Sequence, residues 1–155
     1  MSKETKELVI IGGGAAGLTA AIFGSRMGLD TLLIEKLMPG GQVINAEHIE
    51  NFPGLSEIIS GAEILDRIGS HAAQNGLESR TLTADSLAIN NSYHVVETSE
   101  GRFECKALIL AGGSSFRTLD IPGEESYLGR GVSHCATCDG FFFQDESVAV
   151  IGGGD

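Results

Sequence analysis

The chain has 155 residues, enough for one domain with a sizeable core, and 42% of them are hydrophobic. A formal net charge of −11 and the lack of any basic run argue against nucleic acid or an anionic membrane surface as a partner. Its 22 glycines gather in tight turns rather than in a repeat, which excludes collagen-like and low-complexity chains.

Eighteen uncharged residues separate Glu7 from Arg26. That length matches a membrane span, but Gly12-Gly13-Gly14 divides it into a strand and a helix. The first seven residues carry as many acids as bases, so a signal peptide fits poorly and a cytoplasmic protein is expected. Leu8-Val9-Ile10-Ile11 reads as a short buried strand. Gly14 to Met27 reads as a helix stopped by Gly28, with Ala20, Ala21 and Phe23 available for packing. Thr31 to Ile34 is a second buried strand, ending at Glu35, 23 residues after Gly12. Strand, GxGxxG, helix, strand and acid in this order form a dinucleotide-binding fingerprint. Gly12 makes the turn, Gly14 lets the backbone approach a pyrophosphate, and Gly17 lets the helix pack on the strand. The helix N-terminus offers free N–H groups to phosphate, and Glu35 can accept from ribose hydroxyls.

Residues 36–55 show little periodicity and contain Pro39-Gly40-Gly41-Gln42 and Glu50-Asn51-Phe52-Pro53-Gly54. They read either as a surface loop or as a binding loop whose Gln42 and Asn51 amides address a ring. Ser60 and Glu63 form a capping box for a helix with an Ile64, Leu65, Ile68 and Ala72 face, ended by Gly76. His71 in its last turn suits the helix dipole. Ser86–Ile89, Tyr93–Thr98 and Phe103–Leu110 read as an antiparallel meander. The apolar Ala107 to Leu110 segment is expected to continue into a parallel sheet, with Cys105 as a buried thiol. It ends at Ala111-Gly112-Gly113, a further close-approach turn. Leu119 to Glu124 reads as a connector, and the domain boundary is placed near Arg117.

Beyond the connector lies Cys135-Ala136-Thr137-Cys138-Asp139. Two cysteines at this spacing can close and reopen a disulfide, or contribute half of a metal site. In a reducing compartment such a pair is more often catalytic or metal-binding than a structural staple. Zinc would need two more ligands; Cys105, His48, His71, His94 and His134 are available, but they form no second close pair. The last segment, Val148 to Ile151, reads as a buried-type strand that lacks its parallel neighbours and a sheet to join, and it leads to a second glycine turn, Gly152-Gly153-Gly154. The helix that such a turn starts is missing, and the chain reads as the first part of a longer protein.

These motifs resemble low-molecular-weight thioredoxin reductase of the bacterial and archaeal type, whose N-terminal half the chain matches along essentially its whole length. The motifs are Gly12 to Gly17, Pro39-Gly40-Gly41-Gln42, Glu50 to Gly54, and Gly131 to Phe142 with its Cys-Ala-Thr-Cys-Asp-Gly-Phe-Phe run. The resemblance implies an α/β fold: a Rossmann-like three-layer FAD/NAD(P)-binding domain with an antiparallel meander, then the start of a second Rossmann-like domain. Residues 1–116 correspond to the FAD-binding domain. Residues 117–155 correspond to a linker and the start of a truncated NADPH-binding domain carrying the redox pair. The family passes electrons from NADPH to FAD, then to the disulfide, then to thioredoxin or a similar dithiol protein, usually as a homodimer.

Carried over, FAD contacts fall on Gly12, Gly13, Gly14, Ala15, Ala16, Gly17, Glu35, Lys36, Gly40, Gly41, Gln42, Asn51 and the Ala111-Gly112-Gly113 turn. Cys138 corresponds to the flavin-facing cysteine, Cys135 to the one that attacks thioredoxin, and Asp139 to the acid–base residue. Three departures stand out. Ala15 replaces a frequent proline, and Gly112 replaces a frequent threonine near the flavin. The family's arginine motif for the NADPH 2′-phosphate and its C-terminal FAD segment are absent, so the 155 residues are not expected to turn over NADPH. A flavin-binding fragment without complete activity, a peroxiredoxin-reductase-like flavoprotein and a zinc module are the alternatives.

Overall fold

The structure is a computed structural model that describes residues 2–153, without the side chains of Ser2, Thr137 and Cys138. It contains two compact units, residues 1–113 and 114–155.

The first unit is built on one six-stranded sheet, ordered β3-β2-β1-β6-β5-β4. Its strands are β1 (Ser2–Ile11), β2 (Thr31–Glu35), β3 (Glu78–Thr81), β4 (Ala84–Asn90), β5 (Tyr93–Thr98) and β6 (Gly101–Leu110). The first four in that order run parallel, and β5 and β4 complete an antiparallel meander with β6. The central pair registers Ser2 with Gly101 and Ile11 with Leu110. The expected continuation of Ala107–Leu110 into the parallel sheet is therefore observed. Two strands are longer or newer than their sequence signal. β1 begins five residues before Glu7, in the charged stretch Ser2–Lys6, and β3 is a polar four-residue edge strand.

Alternation on β1 and β2 separates two cores. Leu8, Ile10 and Leu33 face helices α1 (Ala15–Arg26) and α2 (Gly61–Gln74), packing with Leu18, Ala21, Ile22, Leu65 and Ala72. Val9, Leu32 and Ile34 face the other way and pack with Leu82, Val96, Phe103 and Cys105, so the meander covers the second face. The result is a Rossmann-like α/β unit, a mixed six-stranded sheet with two helices, as expected. Cys105 is fully buried and free, and burial pushes its thiol up in pKa.

Helix α1 corrects one packing expectation. Its buried stripe is Gly17, Leu18, Ala21, Ile22 and Gly24; Phe23 lies off that stripe and is 63% exposed. Helix α2 is capped as expected by Ser60, whose Oγ accepts from the Glu63 N–H at 3.1 Å. The Glu63 carboxylate does not serve as the reciprocal half of a capping box in this arrangement; it accepts from Arg67 one turn on, at 2.6 Å.

At the sheet pole where β1 begins, Lys6 is 8% exposed and donates to Glu78 at 2.6 Å and Asp30 at 3.1 Å, with Glu4 at 3.2 Å. Arg80 joins Glu78 to Glu4 and lies over the Phe103 ring. This network lets a charged sequence form the first half of a central strand.

In the second unit, Glu124 accepts from the Leu119 and Asp120 N–H groups, and Leu128 bridges to Val132. A one-turn helix α3 (Ala136–Asp139) and a 3-10 turn at Gly140–Phe143 follow. Residues 148–151, read as a buried-type strand without its parallel neighbours, form no strand and are exposed, with Val150 at 86%. A strand needs a neighbour for its N–H and C=O groups, and none among the described residues pairs with this one. Gly154 of the second glycine turn lies outside the described residues.

Candidate functional site

The glycine turn sits at the end of β1, where strands β1, β2 and β6 terminate side by side. Gly12 has φ +103°, and its N–H donates to the Ile34 carbonyl at 2.9 Å. A Cβ at Gly12 would collide with the Ala111 carbonyl, and one at Gly17 would collide with the Gly12 carbonyl. These two close approaches hold α1 against β1 and β1 against the end of β6, and only glycine permits them. The Ala111-Gly112-Gly113 turn thus approaches Gly12 closely through the Ala111 carbonyl and the Gly112 nitrogen, while a Cβ added at Gly112 or Gly113 would itself meet nothing.

Glu35 ends β2 against this turn. One carboxylate oxygen accepts from the Gly13 N–H at 2.5 Å and the other from the Leu37 N–H at 3.1 Å. The acid therefore fixes the shape of the glycine turn, a role its spacing alone did not reveal. Each oxygen keeps a second lone pair for a hydroxyl donor.

Residues 39–41 return to the same turn. The Gly40 N–H donates to the Gly13 carbonyl at 2.9 Å, and Gly40 is buried. Gly41 (φ +58°) faces Gly14 so closely that a Cβ would stand 3.2 Å from the Gly14 Cα. Gln42 follows in a 3-10 turn at Gly41–Asn45. The structure thus brings Gly12, Gly13, Gly14, Gly17, Glu35, Gly40, Gly41 and Ala111 together. Ala15 and Ala16 begin α1, and Lys36 is exposed just beyond Glu35. Asn51 is exposed in a loop closed by the Ile49–Ile59 bridge, apart from these close approaches. Phe52 and Leu55 of that loop line a pocket of about 210 Å³ with Ile22, Ile59, Ile64, Ile68, Arg67 and His71.

The N-terminus of α1 differs from that of α2. Gly14 caps it without a side-chain hydrogen bond, and no acid stands in its first turn. Its N–H groups and positive dipole end suit an external anion, with the Glu35 carboxylate held to one side by the Gly13 N–H.

In the second unit, Cys135 is disulfide-bonded. The Cys138 side chain, read above as the flavin-facing thiol, lies outside the described residues. The backbone N–H of Asp139 donates to the Cys135 carbonyl at 3.0 Å, and its carboxylate accepts from Ser133 Oγ at 2.6 Å. Ser133 is a contact the sequence reading missed. Its only signal was a hydroxyl two residues before the first cysteine. His134 stacks on Phe116 with ring centroids 5.0 Å apart.

The glycine turn at the end of the parallel strands of an α/β sheet is of the dinucleotide-binding class, and the second unit carries a disulfide-bonded cysteine near an acid. The family model described as pyridine nucleotide-disulphide oxidoreductase matches residues 6–155, and the chain belongs to that family. It is 40% identical over its whole length to thioredoxin reductase of Bacillus subtilis (strain 168), covering 49% of that protein. It is 44% identical over 96% of its length to the bifunctional thioredoxin reductase/thioredoxin of Mycobacterium leprae, covering 33% of it. The solved thioredoxin reductase of Streptococcus pyogenes MGAS5005 superposes with a TM-score of 0.77 at 39% identity, over 93% of this chain and 47% of that one. The chain therefore spans half or less of the length of these relatives.

Proposed function

We propose that this chain is the flavin- and disulfide-bearing part of an FAD-dependent thiol–disulfide oxidoreductase of the thioredoxin reductase type. In this reading electrons pass from NADPH through FAD to a Cys135–Cys138 disulfide, and from there to thioredoxin or a similar dithiol protein. Residues 1–116 are the FAD-binding domain, and residues 117–155 are the linker and start of the NADPH-binding domain. The whole protein works as a cytoplasmic homodimer.

The observation that carries the proposal is the disulfide-bonded Cys135 on the helical turn that holds Asp139, in a chain with a glycine cradle of the dinucleotide type. FAD, when bound, supplies a two-electron carrier. Gly12 and Gly14 would admit its pyrophosphate, α1 would offer N–H groups to it, and Glu35 would accept from the ribose. Gly41, Gln42 and Asn51 would lie along the rest of the cofactor, with Lys36 and residues 111–113 at its borders. Reduction places two electrons in the S–S bond and breaks it. One of the two sulfurs then takes a proton, and in this reading Asp139 gives it as a general acid.

Thiol counting tests the pair. The FAD-loaded protein is reduced anaerobically with one two-electron equivalent and titrated for thiols under denaturing conditions. Two thiols are expected beyond that of Cys105, and none beyond the unpaired cysteines in Cys135→Ser. An unchanged gain of two in that variant would contradict the assignment.

A further inference from the structure

We infer that Ser133 is a positioning residue for Asp139: its hydroxyl aims the carboxyl and keeps it hydrogen-bonded in both of its protonation states. The inference rests on the acid–base reading of Asp139 given above. Ser133 Oγ stands 2.6 Å from Asp139 Oδ2, accepts from the Cys135 N–H at 3.0 Å, and lies 3.3 Å from the Cys135 carbonyl oxygen. The Asp139 N–H donates to that same carbonyl at 3.0 Å. Side chain and backbone of Asp139 are thus both tied to residue 135, one through a serine hydroxyl and one directly.

The donor and acceptor count makes the hydroxyl more than a brace. A serine hydroxyl has one proton and two acceptor sites. While Asp139 is ionised, Ser133 donates to Oδ2 and accepts from the Cys135 N–H. When Asp139 carries a proton, it donates that proton to Ser133 Oγ, and the serine proton turns to the Cys135 carbonyl. The Cys135 N–H bond is kept throughout. No heavy atom moves, and no polar group loses its partner in either state. A group that must give and regain a proton at each turnover is served by such a pivot. An alanine at residue 133 would leave the carboxylate without this donor; a threonine would retain it.

Other charges do not obscure the effect. Among the described residues no ion pair includes Asp139. Cys135 is disulfide-bonded and does not titrate, and the neighbouring His134 ring is stacked on Phe116.

The test uses the oxidised 155-residue chain labelled with carbon-13 and nitrogen-15, following the Asp139 carboxyl carbon and the Cys135 amide by NMR. Ser133→Ala removes the donor to Asp139 Oδ2 and the acceptor of the Cys135 N–H, so both resonances should move, and Ser133→Thr should return them to the wild-type positions. In parallel, the rate of disulfide reduction by dithiothreitol is measured, with Asp139→Asn as reference. Ser133→Ala should slow reduction roughly three- to tenfold, Ser133→Thr should restore it, and Ser133→Ala should add nothing in the Asp139→Asn background. A purely structural serine would change the melting temperature without moving the carboxyl resonance or the rate. Superimposable carboxyl resonances in wild type and Ser133→Ala, or a threonine variant that behaves like alanine, would overturn the proposal. A reduction rate unchanged in Asp139→Asn would instead contradict the acid–base reading of Asp139, and with it the purpose assigned to Ser133.

Discussion

Single atoms decide the nucleotide turn. A methyl group at residue 17 would meet the Gly12 carbonyl, so Gly17→Ala must move α1 off β1. Overpacking of this kind costs about 1–3 kcal/mol, and urea unfolding should show a lower midpoint with an unchanged slope. Glu35→Ala removes the acceptor of two backbone N–H groups, at Gly13 and Leu37. It should cost about 1–2 kcal/mol in the same measurement, since each bond is charge-assisted but partly solvated. It should also weaken flavin binding, and titration with FAD checks that. Cys105 is the opposite case. It is fully buried, and burial holds its thiol above the ordinary range. Alkylation of the native protein should leave it unmodified, while unfolding should expose it.

Among the elements, β1 bears the largest electrostatic load. Burial lowers the proton affinity of Lys6, but its hydrogen bonds to Glu78, Asp30 and Glu4 raise it more, so the ammonium is held above its ordinary pKa. Its bond to Lys6, opposed by burial and helped by Arg80, holds Glu78 below the usual carboxylate range. The signs fix the pH window. The Glu78 contribution is full above the unfolded carboxylate pKa and is lost as pH falls through the lower folded value. The Lys6 contribution is full below the unfolded lysine pKa and is lost as pH rises through the higher folded value. Between those limits the network stabilises the strand. Lys6→Met should cost about 1–3 kcal/mol near neutral pH, less than a fully buried pair because the partners are half-exposed. It should also flatten the acid limb of stability against pH, and thermal melts from pH 3 to pH 8 would show it. The same network explains what the sequence concealed. Residues 2–6 and 78–81 are strands whose charges find most of their partners across the fold, as Lys3 does in Glu104, Lys6 in Glu78 and Arg80 in Glu4. Local alternation therefore gave no sign of them. The turn, α1, β2, the Ser60 cap and the meander were legible because glycine spacing, apolar runs and capping are local signals.

Across the whole molecule, legibility followed the same rule in reverse. Val148 to Ile151 has a strand's composition but no neighbour among the described residues, and it remains unpaired and exposed. Composition states that a segment could be buried in a sheet, while pairing decides whether it is. Likewise the glycine cradle was readable from Gly12, Gly14 and Gly17, but the return of Gly40 and Gly41 onto it and the Ser133 contact to Asp139 were not. They depend on where loops close. The proposed function makes the first unit a flavin site and not a nicotinamide site. Its decisive test is identification of the nucleotide released when the purified protein, after incubation with FAD and with NAD(P) together, is desalted and denatured. FAD is expected in the released fraction, with its flavin absorbance, and with reduced recovery from the Glu35→Ala variant. Release of a nicotinamide dinucleotide with no flavin would contradict it.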